Sequence, residues 1–450
     1  MKIIILSGCS GWRLWPLSNE SRSKQFLKLL NRDDGSKESM AQRIVRQIRE
    51  TINPNDDSLF FVTTESQADS IRNQIGPNVN IISEPFRRDT FPAIAMACEY
   101  LTFEKKVDKN ETIIVLPIDT HADDEFYKQI RIIEALLESE PKCIALIGTK
   151  PTYPSEKYGY IVPDSDGINV KEYTEKPSLE KAVNLIKIGS YWNTGVVAFK
   201  LGYMLEKLED YYSSAEIDSL ESFLLEFNKL PAKSFDYEIL EKAGNMKFIV
   251  YEGKWKDLGT WNTLTEEMDY LNSGYVRQGE ECENTHVINE LSIPILVLGA
   301  KDMVVAASPD GILVSDKHKS SYIKPYVQQL DARPMHEERK WGEYKVLDYN
   351  QYGDEMKSLT KHLTVKAGKH ISYQRHFLRD EIWTIVDGRG ELLIDGEVRT
   401  VERGDVAYIK KGQKHALKAS QDEDLQFIEV QIGAELIEED IERFNWNWNP

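Results

Sequence analysis

The sequence predicts an α/β protein: a doubly wound, mostly parallel sheet, then a β-rich connector, then a C-terminal antiparallel β-barrel. Three observations carry this. The chain opens on an unbroken apolar run, Ile3-Ile4-Ile5-Leu6, without polar alternation, which fits a strand covered on both faces. From there to about residue 265, strand-length apolar runs alternate with amphipathic helical stretches. Beyond about residue 340 the texture is strand and turn, with Asp-Gly and Gly-Asp dipeptides marking hairpins. At 450 residues the chain is too long for one core. The expected domains are 1–268, 269–335 and 336–450.

In chain order, the opening run enters a loop of small residues, Ser7, Gly8, Ser10 and Gly11, which delivers Arg13 and then Lys24. Small residues let backbone N–H groups close on an anion, and the two cations add charge. At the carboxyl edge of an α/β sheet this suits a nucleoside triphosphate. The loop matches neither Gly-x-x-x-x-Gly-Lys-Ser/Thr nor Gly-x-Gly-x-x-Gly. Residues 58–63, 112–116 and 143–147 read as strands, and 93–103 and the stretch after Asp124 as helices. Residues 293–298 and 303–307 are short β-runs of the connector. Residues 382–386, 391–394 and 406–409 are strands of the barrel. No solenoid repeat or low-complexity tract is visible.

Composition narrows the function. A formal charge of -18 with no basic stripe argues against nucleic acid and against an anionic membrane surface. An anionic substrate must then be held by local cations. The cysteines at 9, 98, 143 and 282 form no Cys-x-x-Cys pair, which argues against a disulfide framework and a structural zinc site. Scattered cysteines, no signal-peptide pattern and no membrane-length apolar run predict a cytoplasmic protein.

The opening stretch, with Leu14-Trp15-Pro16-Leu17-Ser18 and Lys24-Gln25-Phe26, resembles the signature of the sugar-1-phosphate nucleotidylyltransferases, in particular the mannose-1-phosphate guanylyltransferase branch. Cys9, Trp12 and Ser23 depart from it. Further segments resemble the same family in the same order. Leu116-Pro117-Ile118-Asp119 matches its strand-end Asp motif, with Thr120 departing, and Asp257-Leu258-Gly259-Thr260-Trp261 its second Asp segment. The resemblance implies that Asp119 and Asp257 hold Mg²⁺, with Arg13 and Lys24 on the departing pyrophosphate. The segment from Glu84 to Ala95 resembles the wall beside the base, implying nucleotide contacts from Glu84, Arg88, Thr90 and Pro92; Asp89 and Phe91 depart. A carboxylate at Glu84 suits guanine, whose N1–H and N2–H₂ are donors, so GTP is favoured. Gly159, Glu175, Lys176 and Asn193 fall in segments that resemble the sugar-phosphate site, and Ser234-Phe235-Asp236-Tyr237 resembles a further family segment. The implied reaction is in-line attack of a sugar phosphate on the α-phosphorus. It has no covalent enzyme intermediate and needs no general base, because the phosphate is already ionised near neutral pH.

In the last domain Gln374, His376, Glu381 and His415 look like a cupin ligand set, with Gln in place of the first His. Two imidazoles, a carboxylate and an amide oxygen suit Zn²⁺ or another divalent metal. The set resembles the fused mannose-6-phosphate isomerase domain of the family; Phe377, Leu378, Ile382 and Lys410 depart from it. Isomerase turnover and a non-catalytic cupin serving assembly or stability both stay open. The reading is a cytoplasmic enzyme that makes GDP-mannose and pyrophosphate from GTP and mannose-1-phosphate for polysaccharide biosynthesis. The alternatives are another NTP or sugar phosphate on the same fold, or a non-catalytic nucleotide-sugar-binding protein. Whether the chain forms a homo-oligomer is open. The reading requires Asp119 and Asp257 to meet around the triphosphate.

Overall fold

The computed structural model describes residues 1–8, 11–212, 216–330, 333–353 and 355–448. Cys9 and Ser10 of the opening loop lie outside the described residues. The chain divides into two compact units: Met1–Arg13 with Ser23–Asp269, and Leu14–Arg22 with Tyr270–Pro450.

The first unit is built on β1 (Lys2–Leu6), which runs parallel between β2 (Leu59–Thr64) and β4 (Thr112–Pro117). β3 (Asn80–Glu84) continues this parallel half beyond β2. The unbroken isoleucine run of β1 follows from cover on both faces. Ile4 packs in one apolar cluster with Ala93, Ala97 and Phe199, while Ile3 and Ile5 pack in another with Ile44, Ile130 and Ile133. All three isoleucines are fully buried, each worth about 1.5–3 kcal/mol of stabilisation. The layers above and below are α1 (Met40–Thr51), α2 (Glu65–Ile75), α3 (Thr90–Phe103) and α4 (Asp124–Ser139). The α4 helix shows the expected period: Phe126, Ile130, Ile133 and Leu137 point inward. The α3 helix is apolar nearly all round because neighbours cover it on several sides, including the segment that carries Phe223 and Phe227.

The other half of the sheet is mixed. β6 (Ile144–Thr149) is parallel to β10 (Met246–Tyr251). The long strand β9 (Tyr191–Lys200) runs antiparallel to β4, to β6 and to β7 (Tyr160–Pro163), and β7 pairs with β8 (Val170–Thr174). β9 shifts register between Asn193 and Val197. Gly195 sits in this bulge at φ +81, where a Cβ would come 2.9 Å from the Pro117 ring. The bulge therefore needs glycine. Finally β5 (Thr120–Ala122) and β11 (Trp255–Asp257) form a small antiparallel ribbon, with Asp257 opposite Thr120.

In the second unit the connector is β-rich, as expected, and most of its strands pair in parallel. Asn272–Ser273, β12 (His286–Asn289) and β13 (Met303–Ser308) pair in parallel, one after the next, as do Val276–Gln278 and Ile295–Val297. Parallel pairing of such near neighbours without helices means the chain coils, a solenoid-like path with no visible sequence repeat. β14 (Gly311–Asp316) closes it as a hairpin on β13. The signature segment Leu14–Arg22 belongs to this unit, not to the expected first domain. Asn19 donates to Asp310 and to the His336 carbonyl, both at 2.8 Å, and Arg22 forks onto Glu290 at 2.7 and 2.9 Å.

The barrel has two sheets. One orders β15 (His336–Arg339), β16 (Gly342–Tyr352), β17 (Met356–Val365), β24 (Leu425–Gly433), β19 (Arg379–Asp387) and β22 (Val406–Ile409). The other orders β21 (Glu397–Glu402), β20 (Arg389–Ile394), β23 (His415–Ala419), β18 (Tyr373–Arg375) and β25 (Glu442–Phe444). Trp383, Phe427, Leu363 and Leu417 fill the space between them. Among the described residues, no helix is long and apolar enough to cross a membrane.

Candidate active site

The first site forms where β1 and β4 end. Asp119 follows β4, and its carbonyl accepts from the Leu258 N–H at 3.1 Å. That bond, with the β5–β11 ribbon, brings Asp257 beside Asp119, although the two are far apart in the sequence. Lys24 donates to Asp119 Oδ2 at 2.5 Å, and both groups are largely buried. Gly259 packs against this cluster; a Cβ there would lie 2.7 Å from Asp257 Oδ1 and 3.2 Å from Lys24 Nζ.

The two carboxylates feel opposite fields. Burial pushes the Asp119 carboxyl up, but the Lys24 ammonium and its hydrogen bond, helped by Arg13, hold it below the usual range. Burial and the charge of Asp119 raise Asp257, against Lys24 and Arg13. Asp257 Oδ1 is buried without a hydrogen-bond partner among the described residues. Two neighbouring carboxylates, one with a buried oxygen that no donor among the described residues reaches, form a donor set for a hard divalent cation. Arg13 stands exposed beside them, close enough that its charge acts on both. Lys157, which the sequence reading passed over, lies in the same field of Arg13 and Asp257.

Ser7 is fully buried; its N–H donates to the Val62 carbonyl at 2.8 Å, and its carbonyl accepts from Gln25 at 2.7 Å. A Cβ on Gly8 would stand 3.1 Å from Glu84 Oε2, so Glu84 is the side chain against the glycine turn. Glu84 ends β3, its Oε1 is buried without a partner among the described residues, and burial pushes its carboxyl up to about 7. Gly11 is buried at the start of a short 3-10 turn, Gly11–Leu14. Arg88 donates from Nη2 to the Leu230 carbonyl at 2.7 Å, and its Nε is buried without a partner among the described residues. Thr90 opens α3 and its hydroxyl accepts from the Phe235 N–H at 2.8 Å, while Pro92 is buried in the first turn. His121, two residues past Asp119, contacts Glu267 at 3.0 Å, and burial holds its imidazole down at about 4, neutral at physiological pH.

The remaining residues gather on β8 and β9. Glu175 follows β8 and pairs with Lys176 at 2.6 Å. Lys176 has φ +41, a left-handed backbone that is strained for a non-glycine residue. Asn193, re-aimed by the β9 bulge, donates to the Tyr173 hydroxyl at 3.0 Å. Gly159 lies against both: a Cβ there would fall 2.1 Å from the Tyr173 hydroxyl and 2.7 Å from Glu175 Oε2. Tyr173 was missed in the sequence, although its i, i+2 spacing from Glu175 was a legible sign.

In the barrel, His376, Glu381 and His415 are buried with their ligand atoms within 4.8 Å of one another. Glu381 spans the two imidazoles, 3.4 Å from each Nε2. The Nδ1 of His376 bonds the Asp440 carbonyl and that of His415 lies 3.0 Å from the Gln413 carbonyl, so each ring aims Nε2 inward. Gln374 lies 3.4 Å from His376 Nε2, with its amide oxygen accepting from Ser372 at 2.7 Å. Arg379 donates to Glu381 Oε1 at 2.9 Å.

A mixed α/β sheet with paired acids at its strand ends is the frame of a nucleotide-handling enzyme. The chain belongs to the nucleotidyl transferase family, whose model matches residues 2–274. A second model, mannose-6-phosphate isomerase C-terminal, matches residues 328–446. The mannose-1-phosphate guanylyltransferase of Salmonella montevideo is 31% identical over 98% of both chains. The alginate biosynthesis protein AlgA of Pseudomonas putida is 31% identical over 98% of this chain and 95% of that protein. A solved structure from Thermus thermophilus, described as a mannose-1-phosphate geranyltransferase, is 26% identical with a TM-score of 0.60, covering 74% of this chain and 99% of that one.

Proposed function

We propose that the chain makes GDP-mannose and pyrophosphate from GTP and mannose-1-phosphate. The observation that carries this is the meeting of Asp119, Asp257 and Lys24 where β1 and β4 end. Asp119 and Asp257 are the residues that would hold a magnesium ion, which supplies charge neutralisation for the triphosphate. Lys24 and Arg13 stabilise the negative charge that builds on the leaving pyrophosphate. Lys176 holds the attacking phosphate, and Glu175 and Asn193 the sugar ring. Glu84 accepts from guanine. Incubation with mannose-1-phosphate, Mg²⁺ and each of four NTPs, following pyrophosphate, tests the reading. Release with GTP alone is expected; preference for CTP or UTP would contradict the role of Glu84.

Glu84 makes this pH-dependent. Its carboxyl must be ionised to accept from guanine, and it titrates at about 7. GTP binding is expected to tighten as pH rises from 6 to 8, and Glu84→Gln to remove that dependence; calorimetry across the range measures both. The sign for stability is opposite. Both folded and unfolded chains hold this proton below the ordinary value of 4.5, and folding is penalised progressively between 4.5 and about 7 as the unfolded chain releases it first.

Gly159→Ala is expected to raise KM for mannose-1-phosphate about tenfold or more with KM for GTP little changed, since the methyl would displace Tyr173 and Glu175. Steady-state kinetics in each substrate checks this.

We also assign a divalent transition metal to His376, Glu381 and His415, with Gln374 beside them. His415 Nε2 and Glu381 Oε2, buried beside His376 without hydrogen-bond partners among the described residues, support it. Interconversion of mannose-6-phosphate and fructose-6-phosphate by the full chain tests whether this site turns over.

A further inference from the structure

The sugar-phosphate corner contains a second carboxylate that the reading above does not use. Asp236, half-buried near the start of the short helix Phe235–Glu238, reaches the same hydroxyl as Glu175. The Tyr173 hydroxyl lies 2.7 Å from Asp236 Oδ1 and 3.1 Å from Glu175 Oε2. It carries one proton for two acceptors. Asn193 also donates to Asp236 Oδ1, at 3.1 Å. Both bonds to Asp236 end on Oδ1, leaving Oδ2 without a hydrogen bond among the described residues.

The corner is short of donors. Two carboxylates present four oxygens, each able to accept about two hydrogen bonds. Facing them are one phenol, one amide and the Lys176 ammonium, which Glu175 Oε1 engages. Burial first, and then the charge of Asp236, raise the Glu175 carboxyl to about 7. A phosphate or an amide carbonyl brings no proton to such a wall, whereas adjacent sugar hydroxyls do. The open Cα face of Gly159 lies against it.

We propose that Asp236 is a specificity-determining residue: with Glu175 it accepts hydrogen bonds from neighbouring hydroxyls of the hexose ring and selects a free hydroxyl pair over deoxy sugars. This rests on the guanylyltransferase reading for the identity of the site. An acceptor pair shaped for hydroxyls discriminates against a ligand lacking one, because the bound sugar shields the half-buried Asp236 from water and leaves its oxygen unpaired.

Calorimetric titration of the full chain with mannose-1-phosphate and its 2-, 3- and 4-deoxy analogues tests the assignment without requiring turnover. The wild-type chain is expected to bind at least one deoxy analogue about tenfold or more weakly than the parent. In Asp236→Ala the parent weakens by a similar factor and the gap to that analogue closes to within about threefold. Asp236→Asn, which keeps an oxygen for Tyr173 and Asn193, should fold as the wild type and still narrow the gap; it covers a folding failure of the alanine variant. Equal weakening of every sugar phosphate in both variants would mark a structural role and overturn the proposal. A wild-type chain that binds no hexose phosphate overturns it together with the guanylyltransferase reading. Binding with the expected discrimination, but no pyrophosphate from any NTP, would remove that reading alone.

Discussion

Asp257→Asn is expected to lower kcat for pyrophosphate release by about three orders of magnitude, ~4 kcal/mol of transition-state stabilisation. The substitution keeps the shape of the side chain and removes one of the two charges that meet at the end of β4. It is also expected to leave the melting temperature unchanged or raised. In the folded chain the ionised Asp257 carboxylate is opposed by burial and by Asp119, with only partial relief from Lys24 and Arg13. A residue that costs stability where it stands, and whose neutral isostere relieves that cost, is placed for binding a cation rather than for folding. Near-normal turnover in the variant would remove Asp257 from the metal site. A large fall in melting temperature would instead make it a structural residue.

The second large effect is expected in the barrel. The purified full chain should carry about one equivalent of a divalent transition metal, and the His376→Ala, His415→Ala double variant almost none. Elemental analysis after gel filtration measures this. Removing either imidazole leaves one ring nitrogen beside Glu381, so each single variant should lose most of its affinity. Binding should also weaken as pH falls, since a proton competes with the metal for each ring. Full occupancy of the double variant would show that these residues are not the ligands.

Much of the first unit was legible because its signals are local. An isoleucine run without polar alternation can only be a strand covered on both faces, and β1 is one. Asp119 stood out because it closes an apolar strand, and Asp257 because its segment resembles the family's second Asp motif; the ribbon that joins them was not legible. What escaped depended on distant partners. Nothing near Leu14–Arg22 indicates that Asn19 and Arg22 bond Asp310, His336 and Glu290, so the segment read as part of the first domain. The connector coils through pairing of backbones, and its side chains carry no repeat to announce it. The bond from Arg88 to the Leu230 carbonyl likewise joins residues far apart in the chain. Asp236 acquires meaning only when β8 and the helix after Ser234 come together, a contact that no spacing in the sequence encodes.

The central claim is that Asp119 and Asp257 hold one divalent ion on the triphosphate of GTP. Electron paramagnetic resonance titration of Mn²⁺, standing in for Mg²⁺, tests it most directly in the presence of saturating GTP. The wild-type chain is predicted to immobilise Mn²⁺ in a GTP-dependent manner, and the Asp119→Asn, Asp257→Asn double variant to lose that signal while still binding GTP. An unchanged GTP-dependent signal in the double variant would contradict the account.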